Sequence, residues 1–105
     1  LVVLKSDGQR EPFDREKVAA GVRAAAKNRP VTDVQVDDLV AGIEVALSRQ
    51  GGGEVASDRI GLAVLERLRA LDEVAYLRFA SVYKDFTGAG DFADELRRLA
   101  KRPSR

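Results

Sequence analysis

Two lysines, a glutamate and a glycine turn stand near the start of the chain at spacings suited to gripping phosphate. Lys5 follows the apolar run Val2-Val3-Leu4, an Asp7-Gly8 pair comes next, and Glu11, Asp14 and Lys17 follow. Asp-Gly between extended segments signals a hairpin with a type I′ turn, because Gly and Asp tolerate the positive φ that turn needs. Folded over the first turn of a helix that begins after Asp14, such a hairpin gathers two ammonium groups, a carboxylate and free backbone N–H groups around one small cavity. Lysine acts as a point charge toward phosphate, and the exposed N–H groups add dipolar attraction. Glu11 can accept a hydrogen bond from an exocyclic base amine. The chemistry is capture of a nucleoside phosphate, with no bond made or broken.

Each residue also has a plainer reading. Lone lysines are usually solvated surface groups; their placement around a hairpin with no other task favours the phosphate role. Glu11 reads equally well as a cross-strand partner of Lys5 or Arg10, an ion pair of little weight when exposed. Ser57 is first of all a helix N-cap and only second a ligand contact. Tyr76 and Tyr83 share a helix face with Phe79, a core stripe from which Tyr83 can turn its hydroxyl to a ligand or a partner chain. The tail from Arg97 to Arg105 holds five basic residues. It reads as a solvated terminus ahead of a DNA contact. Most Asp and Glu residues fall at helix starts, where capping and dipole effects account for them. No paired-carboxylate site, triad, P-loop or dinucleotide fingerprint is present, so the chain is not expected to be an enzyme.

The elements that must carry these residues follow from periodicity and breakers. After the hairpin, Asp14 caps a helix over 15–28, which Arg29-Pro30 ends. Thr32 and Gln35 fit a capping box, and Val36, Leu39, Val40, Ile43 and Leu47 continue at helical spacing to about Arg49. Gln50-Gly51-Gly52-Gly53 reads as a flexible connection. Ser57 then caps a third helix with the stripe Ile60, Val64, Leu65, Leu68 and Leu71. Asp72 starts a fourth through about Phe86, Gly88-Ala89-Gly90 breaks it, and Asp91 caps a short last helix carrying Phe92, Leu96 and Leu99. The expected architecture is α+β: an N-terminal β-hairpin or small sheet covering a bundle of four or five amphipathic helices.

A chain of 105 residues is one domain with a modest core. Apolar residues make up 45% and charged residues 33%, an ordinary folded composition, and the net charge of +1 gives no general affinity for nucleic acid. Cys and His are absent. Within this chain that removes Cys/His zinc sites, disulfides, thiol chemistry and imidazole catalysis. No apolar run approaches a membrane span and no signal peptide stands at the start, so a membrane partner is not expected and the cytoplasm is the default compartment. The chain begins with Leu1 rather than Met, which reads as a fragment whose N-terminal part has been removed.

The segment Lys5-Ser6-Asp7-Gly8, followed by Glu11-Pro12-Phe13-Asp14 and Lys17-Val18, resembles the opening of the ATP-cone domain, the regulatory nucleotide-binding module of ribonucleotide reductases. The run from Leu71 to Phe86, with Ile60-Gly61-Leu62-Ala63-Val64-Leu65 before it, resembles more narrowly the cone of NrdR-type transcriptional repressors of ribonucleotide reductase genes. The likeness spans nearly the whole chain, and the Tyr76–Phe86 run is its specific part. It implies ATP or dATP held beneath the hairpin, an ATP-cone over residues 1–87 and a short C-terminal helix with a basic tail over 88–105. It further implies a zinc ribbon, ahead of Leu1, that contacts DNA, and homo-oligomers of cones whose pairing the nucleotide controls. Carried over by position, Val3 lies along the nucleoside, Lys5 and Lys17 near phosphate, Glu11 near the adenine amine, Ser57 at the pocket edge and Tyr83 near the nucleotide. One departure stands out. The family's usual Lys-Arg-x-Gly has Ser6 in place of the arginine, which removes a phosphate-binding charge. Two rival readings remain: the allosteric cone of a ribonucleotide reductase itself, and a degenerate cone serving as a protein–protein adaptor.

Overall fold

The structure, a computed structural model, describes residues 1–101. Three short strands and five helices follow in the order β1 (Val2–Leu4), β2 (Arg10–Pro12), α1 (Arg15–Ala25), α2 (Asp33–Gly51), β3 (Glu54–Ala56), α3 (Ser57–Leu71), α4 (Glu73–Tyr83) and α5 (Ala89–Lys101). This is the expected α+β architecture, a small sheet with a helical bundle. The basic tail beyond Lys101 lies outside the described residues.

Three of the helices, α1, α2 and α4, begin where the sequence supplies caps. Asp14 accepts from the Lys17 amide at the head of α1, and Asp72 accepts from the Ala75 amide at the head of α4. At α2, Thr32 and Gln35 satisfy each other's backbone donors in a full capping box. The apolar stripes then meet. Val36, Leu39, Val40, Ile43 and Leu47 from α2, Val64, Leu65 and Leu68 from α3, and Ala75, Tyr76 and Ala80 from α4 form one core with Ala19 and Val22 from α1. Alanines along α1 let it approach α2 and α4 closely, and α4 in turn packs against α3 and α5.

β1 is the central strand, antiparallel to β2 and parallel to β3, with Val3 paired to Glu11 on one side and Val55 on the other. Val3 and Val55 point into the core and tie the sheet to the bundle.

Several local expectations are corrected. The segment after Gln50 is not a loose linker: α2 continues to Gly51, Gly52 ends it at φ 63°, Gly53 turns at φ 96°, and β3 follows at once. The hairpin does not turn on a type I′ Asp-Gly pair. Gly8 alone takes a positive φ (89°), its amide reaches the Lys5 carbonyl at 2.9 Å, and the Lys5 amide reaches the Gln9 carbonyl at 2.8 Å. Ser6, Asp7 and Gly8 thus form a three-residue loop with the glycine in the left-handed position. Ser57 is not the cap of α3. Ala56 occupies that position with no side-chain hydrogen bond, because β3 runs straight into the helix. α1 stops at Ala25 and the chain turns through Asn28 at φ 62°; α4 stops at Tyr83, before Asp85 at φ 55°. α5 begins at Ala89, inside the glycine pair, and Asp91 lies in its first turn, where its carboxylate accepts from the Thr87 amide at 2.8 Å.

Candidate nucleotide site

Two clusters of side chains flank the sheet. The first is built by β2 and the start of α1. Residues Glu11 to Lys17 line an open cavity of about 360 Å³, within the size range of small-ligand pockets. Its polar groups come from Glu11, Asp14, Arg15, Glu16 and Lys17. The Lys17 ammonium stands 3.8 Å from the Glu11 carboxylate. Neither group is buried, so this contact is weak and leaves both able to exchange partners. The expected pairing of Glu11 with Lys5 or Arg10 is not formed: Arg10 instead reaches Glu54 at 2.6 Å across β1.

Lys5 closes the base of the hairpin loop and Ser6, its first residue, is exposed. Where the resemblance leads one to look for a guanidinium, the loop therefore presents only a hydroxyl. Val3 lies beneath, its side chain in the core. The register pairs Leu4 with Ala56, the last residues of β1 and β3; Lys5 follows the one and Ser57, the first residue of α3, the other. Having no side-chain cap, the N-terminus of α3 offers backbone donors there.

The second cluster joins α3 to α4. The Tyr83 hydroxyl donates to the Asp58 carbonyl at 2.6 Å, and its ring lies flat across Gly61. A Cβ on Gly61 would collide with Cε1 of the ring and lie 2.6 Å from Cζ. The ring also stacks on Phe79, with centroids 6.3 Å apart. Tyr83 is 36% exposed, so the stripe it shares with Phe79 and Tyr76 divides: Tyr76 is core, Tyr83 a surface platform. Burial, and then the nearby Asp58 carboxylate, push the Tyr83 hydroxyl's pKa up, so it remains a donor.

Of the sequence-derived candidates, Glu11 and Lys17 share the open cavity, Lys5 and Ser6 lie at the turn at the other end of the hairpin, and Ser57 and Tyr83 belong to the α3–α4 side. The seat of Tyr83 on Gly61 and Asp58 was not foreseen. A glycine inside the apolar stripe of α3 was its one sequence signal. Chemically, cations, a carboxylate, backbone amides and an aromatic ring suit an anion bearing a heterocycle. Among the described residues no group of His, Cys, Asp and Glu could hold a metal ion.

Residues 1–89 match the ATP cone domain family. Over 105 residues the chain is 55% identical to the transcriptional repressor NrdR of a Nocardioides species, covering 99% of this chain and 61% of that protein. It is 49% identical to NrdR of Chloroflexus aurantiacus over 97% of this chain and 61% of that protein. Against NrdR of Corynebacterium efficiens the identity is 51%, over 100% of this chain and 67% of the relative. The chain thus spans about three fifths to two thirds of the length of these curated relatives.

Proposed function

The chain belongs to the ATP-cone family and, within it, to the NrdR transcriptional repressors, and from that membership we propose that it senses ATP and dATP to set how copies of the repressor assemble. Residues 1–87 form the sensing cone and 88–105 its C-terminal appendage. What supports this reading is the ATP-cone match over residues 1–89, together with the open cavity that Glu11 and Lys17 share at the start of α1. Lys5 and Lys17 take the phosphates, Glu11 the adenine amine, and Ser57, Tyr83 and the wall at Val3 the nucleoside. Its role is regulatory rather than catalytic. Two nucleotides that favour different pairings of cones shift the oligomer by their differential affinity, and the oligomer decides whether DNA is gripped. DNA contact belongs to a zinc ribbon outside this chain, and the site of action is the cytoplasm. No helix among the described residues is long and apolar enough to cross a membrane.

Calorimetric titration with ATP and with dATP, with light scattering on the same samples, tests this. Micromolar or tighter binding with a nucleotide-dependent change in assembly size is the expected result. The second reading, an adaptor that has lost nucleotide binding, is favoured by Ser6 alone, and absence of binding by both nucleotides would put it first.

A further inference from the structure

α5 supplies none of the candidate nucleotide contacts, and its seat is unusual. Its only buried residue is a charged one, Glu95, at 3% exposure, while the apolar Phe92 and Leu96 remain 41% and 52% exposed. One Glu95 oxygen accepts from the Tyr76 hydroxyl, and the other faces the Lys84 ammonium at 3.0 Å and Arg98 at 3.9 Å. Phe92 adds an edge contact to Phe86 at 4.9 Å between centroids, and the Leu99 carbonyl accepts from Arg69 of α3. Burial raises the Glu95 pKa, but the Tyr76 hydroxyl, Lys84 and Arg98 together outweigh it and hold the carboxyl below its ordinary value, so loss of one partner weakens the whole anchor.

That anchor adjoins the seat of Tyr83, a candidate nucleotide contact, directly. Tyr83 and Lys84 are consecutive at the end of α4: the first reaches over Gly61 to the Asp58 carbonyl, the second holds Glu95. We propose that the C-terminus of α4 couples the nucleotide site to α5, so that a nucleotide drawing the Tyr83 hydroxyl off Asp58 shifts Lys84, loosens Glu95 and frees α5. α5 is then the output element, and its release changes which apolar surface the cone presents. This coupling rests on the nucleotide-sensing reading given above.

Hydrogen exchange of the full 105-residue chain, with and without saturating ATP, tests it beside calorimetry. Exchange over 89–101 should accelerate by about fivefold or more on binding, the lower end of ordinary allosteric coupling. Lys84→Ala should bind ATP normally but lose that response, and Lys84→Arg should restore it. Phe92→Ala, which loosens α5 without touching the anchor, should exchange faster throughout yet keep its ATP dependence. Failure of the wild type to bind ATP or dATP would overturn the nucleotide reading. Binding with unchanged or slower exchange in α5 would overturn the coupling alone, as would a Lys84→Ala variant that responds like wild type.

Discussion

Replacing Gly61 by alanine tests the seat of Tyr83 with a change of sign. In an isolated helix the substitution stabilises, since alanine exceeds glycine by about 1 kcal/mol at an interior position. Here the new methyl group would overlap the Tyr83 ring, with Cδ1 2.5 Å and Cζ 2.6 Å away, so the ring must leave. Overpacking of this kind costs about 1–3 kcal/mol, and the hydroxyl bond to the Asp58 carbonyl adds about 0.5–1.5 kcal/mol when lost. The net expectation is destabilisation by about 0.5–3.5 kcal/mol once the helix gain of about 1 kcal/mol is allowed for. At this domain size each 1 kcal/mol moves Tm by about 4–8 °C. In a Tyr83→Ala background the collision is gone, and Gly61→Ala should become stabilising by up to about 1 kcal/mol. Thermal melts followed by circular dichroism on the four proteins of this cycle measure both effects. Equal destabilisation in the two backgrounds would refute the contact.

Lys17→Ala should weaken triphosphate binding by about tenfold or more in calorimetry, as loss of a charge-assisted hydrogen bond implies; unchanged affinity would remove Lys17 from the site. Ser6→Arg should tighten ATP binding by returning a cation to the loop tip, and weaker binding would contradict the placement of that loop. Asp72→Ala should lower Tm by about 4–8 °C, since loss of an N-cap alone costs about 1 kcal/mol, and it also breaks the paired contacts to Arg29 at 2.9 and 3.0 Å. Arg29, which bonds it, and then the Ala75 amide hold the Asp72 carboxyl below its ordinary pKa against the opposing effect of burial. Its stabilisation is therefore complete above the unfolded-state value and lost as pH falls through the folded one. Melts on acidification below about pH 4 should fall less steeply in Asp72→Asn than in wild type.

The helices were legible in the sequence because their signals are local. Asp14, Asp72 and the Thr32–Gln35 box each cap within one turn, and the stripe from Val36 to Leu47 needs only its own spacing. β3 was not legible: Glu54-Val55-Ala56 is too short for a strand pattern, and its partner β1 lies at the far end of the chain. That same strand displaced Ser57 from its expected capping position. Arg29–Asp72, Tyr76–Glu95 and Tyr83–Asp58 were hidden for a related reason. Each joins residues 19 or more apart in sequence, so no local spacing signals it. Lys5, Glu11 and Lys17 could be proposed only because hairpin, turn and helix start are contiguous.

The placement of Val3 and Val55 bears on how a ligand gets in. Both are core residues, Val3 on the central strand and Val55 on the edge strand opposite β2. Raising the sheet as a rigid flap would pull two valines out of an apolar interior, at about 1.5–3 kcal/mol for each fully exposed side chain. β2 and the Ser6–Gly8 loop carry no such anchor: Arg10 and Pro12 are exposed and Glu11 is only half-buried. Entry by way of this outer edge leaves the interior intact, so the rate of ligand arrival should depend on the suppleness of the Gly8 turn and hardly at all on the stability of the bundle beneath it.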